Sequence, residues 1–339
     1  MRKAFSILFC LFILASCAKE VHQWPEEPGV DPTEIITEVE VVCNIELNVE
    51  AIVTKGTLAP IYSDEDRDKY LRRVFVDIYH SLPTGEDTLV FSDTFFQDVD
   101  SKQDLSFTTI LHSRKYKAIV WMDYILREDM RDLHYNTSKG LSSITIRPAD
   151  DYIANSNFKD AQTVNFPIDL SNNKDWFAHI VVDIPLVRPV AKVTFETIDF
   201  EQFARKMGYE EKDFEKLAEQ YTINMIYSAY LPTGYNAWTQ KLNDAAVGYK
   251  YVSKPVYQPE TKYAKLGFDY VFVNGEQSSV IVSVEIRDND GNVVNRVDNI
   301  NVPIYKGKET IVRDKFFTRE YNPGIGINPE FDGEFNIYV

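Results

Sequence analysis

The sequence predicts an all-β protein made of two antiparallel β-sandwich domains, with a short helical insertion in the second. Three observations predict it. Residues 38–53, EVEVVCNIELNVEAIV, alternate apolar and polar side chains over a stretch that only a half-buried strand explains. Segments of the same period recur to the C-terminus, separated by turns and short loops. No long helix separates the early strands, which disfavours a βαβ sheet and with it a dinucleotide-binding fold.

The chain opens on Met1, Arg2 and Lys3, followed by AFSILFCLF. A basic start and an apolar run of about a dozen residues are too short to cross a bilayer comfortably. Residues 1–16 therefore read as an export signal, outside the fold. Leu14, Ala15, Ser16 and Cys17 look like the lipobox of bacterial lipoproteins. That likeness implies cleavage before Cys17, diacylglycerol on its sulfur and a further acyl chain on its amine. Several chains together give stable anchoring where one is marginal. Residues 17–36 contain WPEEPGVDPT, whose prolines and glycine make a tether.

An N-terminal sandwich is expected over residues 37–186. Its first strand places Val39, Val41, Cys43, Ile45, Leu47 and Val49 on one face. Strands follow at 73–82, 89–96, 105–112, 115–125, 140–148 and 176–186. A C-terminal sandwich is expected over residues 187–339, opening with the strand at 188–200. Phe200, Phe203, Ala204 and Met207, then Phe214, Leu217, Ala218 and Tyr221, have helical spacing and predict the insertion that covers an open face. Strands return at 223–232, 265–274, 279–288, 293–302, 310–317 and 334–339, with DNDGN as a hairpin turn. Pro185 and Pro189 disfavour a continuous interior strand at the junction.

Removal of residues 1–16 leaves 323 residues, enough for two domains of ordinary size. The charge of −16 becomes −18 when Arg2 and Lys3 leave, a poor match for nucleic acid or an anionic bilayer face. The membrane link is then the lipid. Of three cysteines, Cys10 leaves with the signal, Cys17 carries lipid and Cys43 sits in a strand as a small buried hydrophobe.

Neither a catalytic constellation nor a cofactor motif stands out. GxSxG, HExxH and GxxxxGK[ST] do not occur. His22, His80, His112, His134 and His179 have no tight metal-ligand spacing. DNDGN lacks the rest of a calcium loop. The acidic pairs Asp150/Asp151 and Glu210/Glu211 read as solvated surface. The expectation is a protein that is not an enzyme. Trp121, Trp176 and Trp238 are candidates for a sugar-stacking platform, with core packing as the default.

Four features resemble the fimbrilin-like lipoproteins of Bacteroidales, the superfamily of major and minor fimbrial subunits. They are the Cys17 lipobox with its proline-rich tether; YLRRVFVDIY followed by YKAIVWMDYI; RPVAKVTF at 188–195; and YLPTGYNAWTQ at 230–240 before a strand-rich end. The resemblance implies two sandwiches of transthyretin-like topology, an outer-membrane and cell-surface location, and other fimbrial subunits or the chain itself as partners. It also implies that an arginine-specific protease removes the lipidated leader with the first strand, and that a neighbour's strand fills the groove. Arg67 is the processing candidate, because Arg72 and Arg73 abut the next strand. The terminal FDGEFNIYV is the donor candidate, with Phe335, Ile337 and Val339 on one face. The alternatives are a non-polymerising fimbrial anchor that keeps its lipid, and a surface lipoprotein that binds a glycan or protein of a host or bacterial surface.

Overall fold

The structure, a computed structural model, describes residues 35–46, 68–82 and 84–319 and the backbone of 334–338. Cys17, Arg67 and Val339 lie outside the described residues, as does the predicted first strand beyond residue 46.

The fold is mostly β. In chain order the first nine strands are β1 (Ile36–Asn44), β2 (Tyr70–Ser81), β3 (Asp87–Asp98), β4 (Leu105–His112), β5 (Lys115–Leu126), β6 (Tyr135–Asn136), β7 (Ile144–Ile146), β8 (Gln162–Asp169) and β9 (His179–Pro185). Then come β10 (Val190–Thr197), α1 (Phe200–Lys206), α2 (Phe214–Ala218), β11 (Thr222–Tyr227), β12 (Leu231–Asn236), β13 (Lys241–Ala246), β14 (Lys250–Ser253) and β15 (Val256–Gln258). The chain closes with β16 (Tyr263–Phe272), β17 (Gln277–Arg287), β18 (Val293–Tyr305), β19 (Glu309–Asp314) and β20 (Glu334–Tyr338).

The sheet orders show a tandem repeat. In the first half the sheets run β4-β1-β9 and β3-β2-β5-β8. In the second, β16-β10-β19 and β14-β11-β17-β18 have the same order and the same sequence of connections. Glu38 of β1 faces Ile110 of β4 and His179 of β9; Lys192 of β10 faces Tyr270 of β16 and Glu309 of β19. The second half adds β15 beyond β16 and β20 beyond β19. The helices α1 and α2 fall between β10 and β11, as the 3-4 spacing predicts. Their Phe200, Ala204, Phe214, Leu217 and Ala218 are buried.

The sheets are not wholly antiparallel. β1 pairs with β9, and β10 with β19, in parallel. A parallel partner needs a crossover rather than a hairpin. Here that crossover is the whole intervening half, so nothing local in the sequence announces it. The segment 223–232 splits at Ser228 into β11 and β12, and β13 to β15 are strands that no alternation announced.

The described residues form one compact unit. A further sheet, β13-β12-β7-β6, crosses between the halves, with Gly234 opposite Thr145 and Tyr235 opposite Ile144. Strand β5 explains why the halves adhere. Its residues 118–125 are buried on both faces. Alternation sends Ala118, Val120 and Met122 to one side and Ile119 and Trp121 to the other. Ile119 and Trp121 join Tyr235, Leu266 and Phe272 of the second half in one core.

Candidate functional site

Strand β1 is the element whose placement points to function. Val39, Val41 and Cys43 are fully buried, while Glu38, Glu40, Val42 and Asn44 take the other face. Burial, helped by Asp104, pushes the Cys43 thiol up to about 12, so it is a packed hydrophobe and not a nucleophile.

Among the described residues β1 is the only strand joining β4 to β9 in this sheet. It meets β4 from Ile36↔His112 to Cys43↔Leu105, and β9 from Glu38↔His179 to Asn44↔Pro185. Its exposed face is held by polar contacts. Ser106 Oγ donates to Glu40 at 2.8 Å, and His179 lies 3.2 Å from Glu40 and 3.7 Å from Glu38. Its exit is clamped as well. The Ile45 N–H donates to Asp104 at 3.0 Å, the Glu46 N–H to Gln162 at 2.9 Å, and Arg188 bridges Glu46 and Asp160. Taking β1 away would leave two strands with facing unpaired edges and a slot shaped for alternating small apolar side chains.

The far edge of β9 contrasts with its counterpart. β20 pairs antiparallel with β19, from Glu309↔Tyr338 to Arg313↔Glu334. No strand among the described residues pairs with the corresponding edge of β9. In this single chain the candidate donor positions Phe335 and Ile337 thus lie opposite Val312 and Thr310 of their own sheet.

The arginines sort by burial. Arg72 and Arg73 are buried; Arg73 makes a bidentate pair with Asp123, at 2.8 and 2.7 Å, and a second pair with Asp132. A protease cannot engage them without unfolding β2. The tryptophans separate too. Trp121 is core and Trp238 packs on Tyr79 at 4.2 Å, so neither joins a surface platform. Trp176 and Phe177 are 53% and 69% exposed, side by side before β9, and Phe177 holds a φ of 57°. Asp288 caps its own hairpin turn, accepting from the N–H groups of Asp290 and Asn292. Among the described residues no group of acidic, histidine and cysteine side chains could hold a metal ion, and no helix is long and apolar enough to cross a membrane.

Sequence reasoning missed the buried polar groups between the halves. Lys159 pairs with Asp269 at 2.6 Å, both almost wholly buried. Their positions are 110 residues apart, so only the fold brings them together. His134 is buried beside them, with Nε2 3.2 Å from Ser156 Oγ and Nδ1 without a partner. Burial first, then Lys159 and Arg147, hold its pKa well below the usual histidine value. The consequence has a definite sign. Above about 6.5 the imidazole is neutral in both folded and unfolded chains. As pH falls through that value the unfolded chain takes a proton that the folded chain refuses. Stability is then expected to drop by about 1.4 kcal/mol per pH unit from this one group. Urea unfolding at pH 7, 6 and 5 measures it, and His134→Gln should flatten the slope by that amount.

The model of a family described as a family of unknown function (DUF6562) matches residues 32–339. No curated protein matches the chain. Among solved structures the chain is similar to the fimbrial anchor protein Mfa2 from Porphyromonas gingivalis, at 13% identity and a TM-score of 0.41, over 82% of this chain and 90% of that one. It is also similar to the tip fimbrial protein Mfa3 from Porphyromonas gingivalis, with C-terminal truncation, at 10% identity and a TM-score of 0.43, over 89% of this chain and 98% of that one.

Proposed function

We infer that this chain, which belongs to the DUF6562 family, is an exported surface lipoprotein that serves as a structural or adhesive fimbrial subunit and assembles by β-strand addition. The observation that carries the reading is the position of β1, among the described strands the sole link between β4 and β9. Strand addition needs a slot with two open edges and a row of alternating pockets. Loss of β1 creates both. The leader and the Leu14-Ala15-Ser16-Cys17 run support export and lipid attachment at Cys17, and Arg67 falls between β1 and β2, where a cut would free β1. The C-terminal segment with Phe335, Ile337 and Val339 is the proposed donor. The repeated topology supports reading residues 37–186 and 187–339 as two sandwich domains.

One experiment reads both parts. Full-length chain is expressed in a Gram-negative host with an added specific protease site at Arg67. Labelled fatty acid should mark the wild type, and Cys17→Ala should lose the label and leave the membrane fraction. Cutting at residue 67 should then yield ladders that resist mild denaturation, and deletion of residues 334–339 should stop them. A cut chain that stays monomeric would overturn assembly by strand addition. Unchanged labelling of Cys17→Ala would overturn the lipid site.

A second reading is favoured by Trp176 and Phe177. An exposed aromatic pair is costly to leave bare, and it suits an apolar sugar face or a protein surface. On that reading the chain is a binding lipoprotein or a non-polymerising anchor. Trp176→Ala would then abolish surface-ligand capture while leaving the fold intact.

A further inference from the structure

We propose that Lys159 and Asp269 react with each other to form an intramolecular amide, a covalent cross-link between the two halves of the molecule. Lys159 is the last residue of a short turn, Asn157–Lys159, in the first half, whereas Asp269 sits on β16 of the second half. Nζ lies 2.6 Å from Oδ1, and both side chains are almost completely shielded from water.

The surroundings are arranged for acyl transfer. Tyr227 donates its hydroxyl to Asp269 Oδ2 at 2.6 Å, and Tyr152 donates to the same oxygen. Tyr152 also accepts from Lys159 Nζ, so its hydroxyl bridges amine and carboxyl. The backbone N–H of Tyr270 donates to Oδ1 at 2.8 Å. Burial lowers the Lys159 pKa, which eases release of its proton, and raises the Tyr152 and Tyr227 pKa values, which keeps both as donors. A buried ion pair bears the desolvation of two charges. An amide bears none.

The step balances without a co-reactant. A proton passes from the Lys159 ammonium directly to Oδ1 of the Asp269 carboxylate, 2.6 Å away. The Nζ lone pair attacks Cγ and forms the N–C bond. The oxyanion that develops on Oδ2 is held by the two tyrosine hydroxyls, as preorganised donors stabilise acyl-transfer intermediates elsewhere. Nζ then gives up a proton to Oδ1, the Cγ–Oδ1 bond breaks, and water leaves. Reactants held at contact distance gain the rate advantage of an intramolecular reaction.

Mass spectrometry of the purified full-length chain tests this directly. Proteolysis after denaturation should yield one branched peptide joining the Lys159 and Asp269 segments, lighter than the two linear peptides together by about 18 Da, the mass of the water lost in the condensation. Lys159→Met and Asp269→Ala should each restore linear peptides. Either replacement can impair folding, so Tyr227→Phe provides a second arm that keeps both reactants. Freshly made Tyr227→Phe protein should form the link more slowly by about 100-fold, the loss expected for one oxyanion donor. Two linear peptides of full mass from the wild type would overturn the proposal and leave a buried ion pair. Formation at the wild-type rate in Tyr227→Phe would overturn the assigned chemistry.

Discussion

Trp121→Ala is expected to lower stability by about 3–5 kcal/mol, the range for removing a buried large aromatic. Trp121 has no exposed surface, and its ring meets Tyr135 at 5.4 Å edge-on, Tyr235 at 6.1 Å and Phe272 at 6.4 Å. Tyr235 and Phe272 stack on each other at 5.3 Å, so the cavity would open beneath an aromatic pair of the second half. The indole N–H also donates to Asp123 at 3.1 Å, and alanine would leave that oxygen one donor short. Urea midpoints measure the loss. Trp176→Ala, at an exposed position, should stay within about 0.5 kcal/mol of wild type. Equal effects at the two positions would show that the core between the halves is not where the structure places it.

The second large effect is Asp123→Ala, expected to cost about 3–5 kcal/mol because it strands a buried guanidinium. Burial first, with the Asp132 charge adding to it, pushes the Asp123 carboxyl up, and Arg73 opposes that shift through its two hydrogen bonds. With Asp123 gone, Arg73 keeps only Asp132, which is partly exposed. Replacing both members, Arg73→Met with Asp123→Leu, should recover most of the loss, since apolar residues of similar volume remove both charges. A single variant as stable as wild type, or a double variant worse than the single, would contradict the pairing.

The sequence carries some of these features openly and hides others for physical reasons. Alternation at Val39, Val41 and Cys43 was legible because one face of β1 is core and the other is wet. The spacing of Phe200, Ala204, Phe214 and Leu217 was legible for the same reason on a helical period. Strand direction was not, because alternation is the same whether a neighbour runs parallel or antiparallel. Strand β13, Lys241–Ala246, was invisible since its residues are exposed or half-exposed and show no apolar face. Of the candidate site, the first strand and the inaccessibility of Arg72 and Arg73 could be read. The Lys159–Asp269 contact could not, because it depends on how β16 packs against a turn from the other half. The repeat itself escaped notice because equivalent positions share burial and not identity: Val41 and Cys43 of β1 correspond to Phe195 and Thr197 of β10.

The parallel pairing of β1 with β9 has a mechanical consequence. In the second half β20 returns antiparallel beside β19, but the first half admits the chain at the start of β1 and releases it at the end of β9, the strand running beside it in the same direction. Tension along the chain therefore pulls those two strands lengthwise past each other. Every backbone hydrogen bond between them is loaded at once in shear, and none can be peeled open singly from one end. A hairpin pulled by its two open ends would yield one bond at a time. A molecule held ahead of β1 and pulled beyond β9 would thus meet the force in its first half with its strongest geometry.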